Sequence, residues 1–448
     1  MNTIAQLLRS GWLRAALLAS AAFLLQLPCT LAHEGEHPKP AFTEKEQHRP
    51  TPLPDRVILT WSGDPTNSID ATWRTDTTTG EPAAEYARAA DLKGNLRDGV
   101  PQSQRTVGSK QTFSSDLGEC HINSVRLEGL EPATLYAYRV GDGQHWSEWF
   151  QFRTASASDE PFTFVYFGDA QNNIRSLWSR VIREANQYAP RASFMLHAGD
   201  LINSDNSDAE WGEWFGAGGW LNGMIPTVAT PGNHEYDDDD RLSRHWRPQF
   251  AFPMNGPSGL EETVYSFDYQ GARIISLNSN ERVDEQRDWL KSVLTEGDRP
   301  KWTIVTFHHP IFSAAKERDN PELRAAWRPI FEEHGVDLVL QGHDHAYARS
   351  GLGGPKNVPQ GLRLKSSNTV YVVSVSGPKM YTLQEKWEVS RVATGVQLFQ
   401  VIHVAAEQIR YEARLATGEL YDAFTLEKDE NGKSTLIEQI PGTDEIRR

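Results

Sequence analysis

Only two cysteines, Cys29 and Cys120, occur in 448 residues, so no disulfide framework holds this chain together. Basic runs are also missing. Against 45 Lys and Arg stand 60 Asp and Glu, a net charge of -15, and no stretch offers the basic face a nucleic-acid binder needs. Nucleic acid is therefore not an expected partner. The acidic total excludes little else, because a buried metal centre overrides the global field locally. Long apolar runs are absent beyond one near the N-terminus, at 15–25, which is too short for a comfortable membrane span. No internal repeat is present. With 38% hydrophobic and 23% charged residues the chain has the composition of a folded protein rather than a disordered one. Fourteen tryptophans promise large aromatic cores or a broad binding surface.

The N-terminal pattern is that of an export signal. Arg9 and Arg14 precede the apolar stretch, and Thr30 and Ala32 are small residues at the minus-three and minus-one positions of a cut after Ala32. Residues 1–32 are expected to be a signal peptide, the alternative being a retained anchor. Removal of that segment leaves Cys120 alone, with no stable membrane span in the mature chain. Export without disulfides fits a bacterial periplasm or medium, so a periplasmic or secreted location is expected. Residues 33–54, rich in His, Glu, Pro and Lys, predict a polar linker in which His33, His37 and His48 are surface residues rather than ligands.

Residues 55–156 alternate apolar and polar side chains in short runs, as at 56–61, 68–73 and 134–140, with Gly, Asn, Asp and Pro between them. That predicts a small all-β sandwich. The segment LEGLEPATLYAY at 127–138 resembles the turn-and-corner region of fibronectin type III domains. From 157 to 427 the pattern becomes alternating strands and helices. Strands are predicted at 162–167, 192–197, 225–229, 273–277, 302–307, 336–340 and 370–375, and more strands between 396 and 424. Helices are predicted around Ile174 to Ile182, over 209–221, around Trp289 to Leu294 and around Trp327 and Ile330. This is an α/β layered architecture. The polar residues 428–448 predict a loose tail.

Five segments follow directly on predicted strands: Gly168-Asp169-Ala170-Gln171, Gly199-Asp200-Leu201-Ile202-Asn203, Gly232-Asn233-His234-Glu235, His308-His309-Pro310 and Gly342-His343-Asp344-His345. Ligand sites of α/β sheets form outside the carboxyl ends of strands, where such loops converge. The residue types suit a pair of cations. Two cations about 3.5–4 Å apart repel each other, and a shared carboxylate offsets that repulsion. Asp200 is the candidate bridge. Neutral imidazoles complete the shells without making the site strongly negative, which would repel a phosphate. The amide oxygen of Asn233 adds a hard ligand. Glycine before each ligand is expected to let the backbone turn sharply. Singly, each piece is weak: Gly-Asp and Gly-Asn are common in turns, and lone histidines are often packed. Their joint order carries the reading.

That order is similar to the calcineurin-like metallophosphoesterases and, within them, the purple acid phosphatases. GNHEY at 232–236, VTFHHP at 305–310 and GHDHAYARS at 342–350 carry the resemblance, with DEQRDWL at 284–290 and TVYVVSVSG at 369–377. It implies a layered β-sandwich flanked by helices behind the fibronectin type III-like domain. It also implies roles. Asp169 and His345 would bind the first metal, Asp200 would bridge, and Asn233, His308 and His343 would bind the second. His234 would contact the phosphate or protonate the leaving oxygen. Two positions depart from the family pattern. Purple acid phosphatases have Tyr where Asn203 stands, and that Tyr on ferric iron gives the colour. Other metallophosphoesterases have His where Gln171 stands. Gln171 and Asn203 either ligate through oxygen or orient water. The implied cofactor is two metal ions drawn from Fe, Mn or Zn, in a centre that is not purple.

The expected activity is acid-phosphatase-like hydrolysis of a small-molecule phosphate ester, mono- or diester, by metal-bound hydroxide. Water on a cation drops in pKa from near 16 to roughly 7. His234 is the expected general acid, with a purely structural hydrogen bond as the alternative. Glu235 reads as a supporting loop residue, and His309 either contacts phosphate or packs beside Pro310. The acidic run 237–240 reads as a solvated loop, and Trp211, Trp214 and Trp220 read as helical core or as walls of a pocket mouth. A competing reading, supported by the two departures, is a metal-binding cell-envelope recognition protein with lost or weak turnover. A nucleotidase would need a base-stacking pocket as well.

Overall fold

The computed structural model describes residues 42–92, 103–297, 299–360 and 368–447. The expected signal peptide and His33 and His37 lie outside the described residues. The N-terminal module is the predicted sandwich. One antiparallel sheet runs in the order Asp55–Thr60, Ile69–Thr75, Glu119–Leu127, Ser109–Ser114, and a second in the order Gln104–Val107, Ala83–Arg88, Leu135–Gly141, Phe150–Arg153. The corner in LEGLEPATLYAY is closed by a hydrogen bond from the Glu131 amide to the Tyr136 hydroxyl at 2.9 Å.

The α/β part contains two mixed sheets. The first has the order Thr227–Ala229, Met195–His197, Phe162–Phe167, Leu398–Val404, Gln408–Leu415, Leu420–Lys428, Ser434–Glu438. Its first three strands are mutually parallel. The second sheet has the order Tyr265–Tyr269, Ala272–Ser276, Trp302–Thr306, Leu338–Gln341, Val370–Val373, Tyr347–Arg349, Arg391–Thr394, Ile446–Arg447. Four of its neighbours, from Ala272–Ser276 to Val370–Val373, are parallel. Strand periodicity explains the layers. Ile274, Ile304, Leu338 and Val370, in register with one another, join the core shared with the first sheet. Their chain neighbours Ile275, Val305, Val339 and Tyr371 face the other way. There they meet Leu290 and Leu294 of the Gln286–Thr295 helix and Trp327, Ile330 and Phe331 of the Pro321–His334 helix. The helix expected around Ile174 opens with a widened turn, Ile174–Trp178, before the regular Ser179–Tyr188.

Two expectations need correction. The tail 428–448 is not loose where it is described. Ser434–Glu438 pairs with Leu420–Lys428, and Ile446–Arg447 pairs with Arg391–Thr394. Glu438 also pairs at 2.7 Å with Arg349, which is fully buried and needs charge partners. The linker expected to 54 is anchored earlier. The one-turn helix Glu44–Gln47 is exposed, but His48 packs on Gly212, where even a Cβ would meet its ring, and the Thr51 carbonyl accepts from the Asp76 amide.

The N-terminal module is docked on the α/β part. Trp61 packs on Phe194, Phe267 and Tyr269, and the Tyr138 hydroxyl donates to the Gly223 carbonyl at 2.7 Å. Arg56 and Arg74 both pair with Asp208 at the start of the Asp208–Gly218 helix. Trp211 and Trp214 of that helix are buried core residues, whereas Trp220 is 56% exposed and lies away from the five loops, beside Arg56 and Phe150.

Candidate metal centre

All five loops leave the carboxyl ends of parallel strands, three from the first sheet and two from the second, and their side chains meet. Carboxylate and imidazole atoms of Asp200, His308 and His343 lie within 4.8 Å of one another, and so do those of Asp169, Asp200 and His345. Asp200 belongs to both groups. The Asn233 Oδ1 lies 3.1 Å from His308 Nε2 and 2.9 Å from His343 Nδ1. His308 Nε2 is also 3.2 Å from Asp200 Oδ2.

Backbone carbonyls fix the imidazoles. His308 Nδ1 donates to the Ala198 carbonyl at 2.8 Å, and His345 Nδ1 donates to the Lys379 carbonyl at 3.0 Å. In the neutral ring each Nε2 then presents a lone pair to the centre. With both rings neutral, ligating atoms of His308, His343, Asn233 and Asp200 would all present lone pairs to one point. Burial lowers the proton affinity of His308, yet the charges of Asp200 and Asp169 overcome it and push its pKa up to about 9. Burial also works against ionisation of Asp200, but the His308 charge and hydrogen bond hold its carboxyl well below the usual range. Asp169 moves the other way, raised by burial in spite of His308. The cluster draws positive charge, which in the metal-free chain only a proton on His308 supplies. The donor set fits two divalent or trivalent cations.

The backbone around the centre is strained. Asp169, Asp200, His343 and His345 all have positive φ, of 36°, 52°, 74° and 44°. The ligands themselves make the sharp turns, which corrects the role expected for the preceding glycines. Only Gly199 among those glycines has positive φ, at 85°. The others are needed for space: a Cβ on Gly232 would stand 2.2 Å from Asp200 Oδ1, and one on Gly342 would stand 2.6 Å from Asp169 Oδ2.

Glu235 gathers two loops. Its Oε2 accepts from the amides of Asp200 and Gly232, and its Oε1 from those of Leu201 and Ile202. Burial and the Asp200 charge push its pKa up to about 7. His234 donates its amide to Asp200 Oδ1 at 2.9 Å and its Nδ1 to the Asn203 carbonyl at 2.6 Å. His309 lies beside His343, with ring centres 4.2 Å apart, and pairs with the Ser279 hydroxyl. The Gln171 amide sits between Asp200 Oδ2 at 2.6 Å and His345 Nε2 at 3.2 Å, and its buried Oε1 has no partner. The Asn203 side chain, by contrast, accepts from Asn172 at 2.8 Å. Asp237 of the acidic run accepts from the amides of Asp239 and Arg241, an ordinary turn.

Three residues at the centre carried no signal in the sequence. Arg318 donates to the His343 carbonyl at 3.2 Å, Tyr381 lies 4.6 Å from His345 between ring centres, and Lys379 supplies the carbonyl that orients His345. The segment TVYVVSVSG ends just before the last two.

The chain is similar to known proteins in both parts. Residues 54–154 match the family model described as purple acid phosphatase, N-terminal domain, and residues 162–347 match calcineurin-like phosphoesterase. Purple acid phosphatase 18 of Arabidopsis thaliana is 26% identical over 349 residues, 75% of each chain. The Fe(3+)-Zn(2+) purple acid phosphatase 12 of the same plant is 26% identical over 318 residues, 66% of this chain and 65% of that one. A solved purple acid phosphatase from yellow lupin seeds superposes with a TM-score of 0.70 at 19% identity, covering 85% of this chain and 75% of its own.

Proposed function

The chain belongs to the calcineurin-like metallophosphoesterases of the purple acid phosphatase type, and from that premise we propose that it hydrolyses small phosphate esters at a centre of two metal ions. The observation that carries this reading is the convergence on Asp200 of two ligand groups, one with Asp169 and His345 and one with His308 and His343. Asp169 and His345 would hold the first ion, Asn233, His308 and His343 the second, and Asp200 would serve both. Gln171 would join the first ion, since a half-turn of its amide brings the partnerless oxygen to the place its nitrogen now takes. Asn203, engaged with Asn172, would not. When bound, the two cations acidify water and neutralise charge on the phosphoryl oxygens.

The chain's own residues do the rest. Glu235 holds the Asp200 backbone in its strained turn. His234 has its Nδ1 committed to the Asn203 carbonyl, so Nε2 is the atom free to pass a proton to the leaving oxygen. The intact ligand set and this histidine weigh against a recognition protein without turnover. Among the described residues no helix is long and apolar enough to cross a membrane. The N-terminal pattern supports export to the periplasm or medium.

The test couples metal analysis to hydrolysis of 4-nitrophenyl phosphate before and after chelation. Turnover that vanishes on chelation and returns with added metal supports the reading. Undetectable turnover across several metals and pH values favours a binding protein instead.

A further inference from the structure

We propose that Arg318 and Lys379, with Tyr381 between them, form a subsite for a second anionic group, a phosphate or a carboxylate, on the non-transferred part of the ester. The subsite rests on the phosphoesterase reading of the same centre. Arg318 Nη1 donates to the His343 carbonyl at 3.2 Å, and its guanidinium carbon stands 4.6 Å from the centre of the Tyr381 ring. Its Nη2 reaches the Tyr381 hydroxyl at 3.4 Å. Tyr381 also packs, tilted, against His345 with ring centres 4.6 Å apart, and Lys379 Nζ lies 5.5 Å from the same ring centre. The three side chains therefore make a cationic wall along the segment that carries His343 and His345.

That wall lacks an anion. Among the described residues no carboxylate pairs with Arg318 or Lys379; Asp319, next in the chain, is taken by Arg324 and Lys386, each at 2.7 Å. A guanidinium carries five donors in a planar fork, and Arg318 has some left that suit a bidentate phosphate or carboxylate. Two unneutralised cations beside a site that takes metal ions repel those ions. The arrangement becomes favourable when the incoming molecule brings more negative charge than its transferred phosphoryl group.

Three esters sharing one phenyl group test this: phenyl phosphate, 2-carboxyphenyl phosphate and phenyl diphosphate, each with the metal-loaded wild type, Arg318→Ala, Lys379→Ala and Arg318→Lys. In the alanine variants KM for an ester with a second anionic group is expected to rise about 10- to 100-fold more than KM for phenyl phosphate, with kcat moving less. Arg318→Lys should recover part of the loss. A loss confined to the diphosphate assigns the subsite to phosphate, and one shared by both charged esters assigns it to anions generally. Equal losses on all three esters, or none, overturn the proposal. Calorimetry with methylenebisphosphonate and methylphosphonate reads the same preference without turnover. If Arg318→Ala loses no more affinity for the bisphosphonate than for the monophosphonate, the subsite fails; if that selective loss is seen but no ester is turned over by wild type, the phosphoesterase reading fails instead.

Discussion

His234 sits one residue beyond a metal-ligand candidate and contacts both Asp200 and Asn203. If it protonates the leaving oxygen, His234→Ala should lower kcat by about 10²–10⁴-fold for an alkyl phosphate. The loss should be much smaller for 4-nitrophenyl phosphate, whose leaving group needs no proton. Equal losses on the two esters would reduce His234 to a positioning role. Glu235 acts differently, through the amides of four residues that shape the Asp200 turn. Glu235→Gln keeps its size but not two anionic oxygens, and should weaken metal affinity by about 10–100-fold, read by competition with a chelator. At this scale the ligand set was legible because its members cluster just beyond apolar runs, four of them, Asp169, Asp200, Asn233 and His343, directly after a glycine. Arg318 and Tyr381 were not. Each is a single residue in a loop, and only the folded chain brings one onto the His343 carbonyl and the other onto the His345 ring.

Elements show the same division. The strand Phe162–Phe167 and the helix Pro321–His334 could be read from their apolar spacing, because both bury a face in a large core. Ser434–Glu438 could not. It lies at the edge of its sheet and buries little beyond Ser434, so its sequence carries no apolar period. Its place is set by partners far away in the chain. Arg349 is fully buried between Asp422 at 2.8 Å and Glu438 at 2.7 Å. Asp422→Asn should therefore destabilise the protein by about 3–5 kcal/mol, because it leaves a buried guanidinium short of charge. Denaturant unfolding measures this, and a change below about 1 kcal/mol would show that Arg349 finds water or Glu438 enough.

Across the whole molecule, the junction of the two modules turns on Asp208. Burial works to raise its carboxyl, but His245, Arg56 and Arg74 together hold it well below the usual carboxylate range. A depressed acid lends stability above its unfolded pKa of about 3.9 and loses it as pH falls through that value toward the folded one. Asp208→Asn should cost about 3–5 kcal/mol at neutral pH, as removal of one member of a buried ion cluster does. The gap in melting temperature from wild type should narrow as the pH falls from about 5 to 2. A gap independent of pH would assign the loss to packing rather than charge. The sandwich and the α/β layers were each legible alone, but this junction was not, since Asp208 lies 134 residues from Arg74.

The pair of cations around Asp200 is tested most directly by anomalous diffraction from crystals of the metal-loaded protein. Two peaks should flank the Asp200 carboxylate, one within reach of Asp169 and His345 and the other of Asn233, His308 and His343, and both should disappear in Asp200→Asn. A lone peak, or peaks remote from Asp200, would contradict the shared-carboxylate centre.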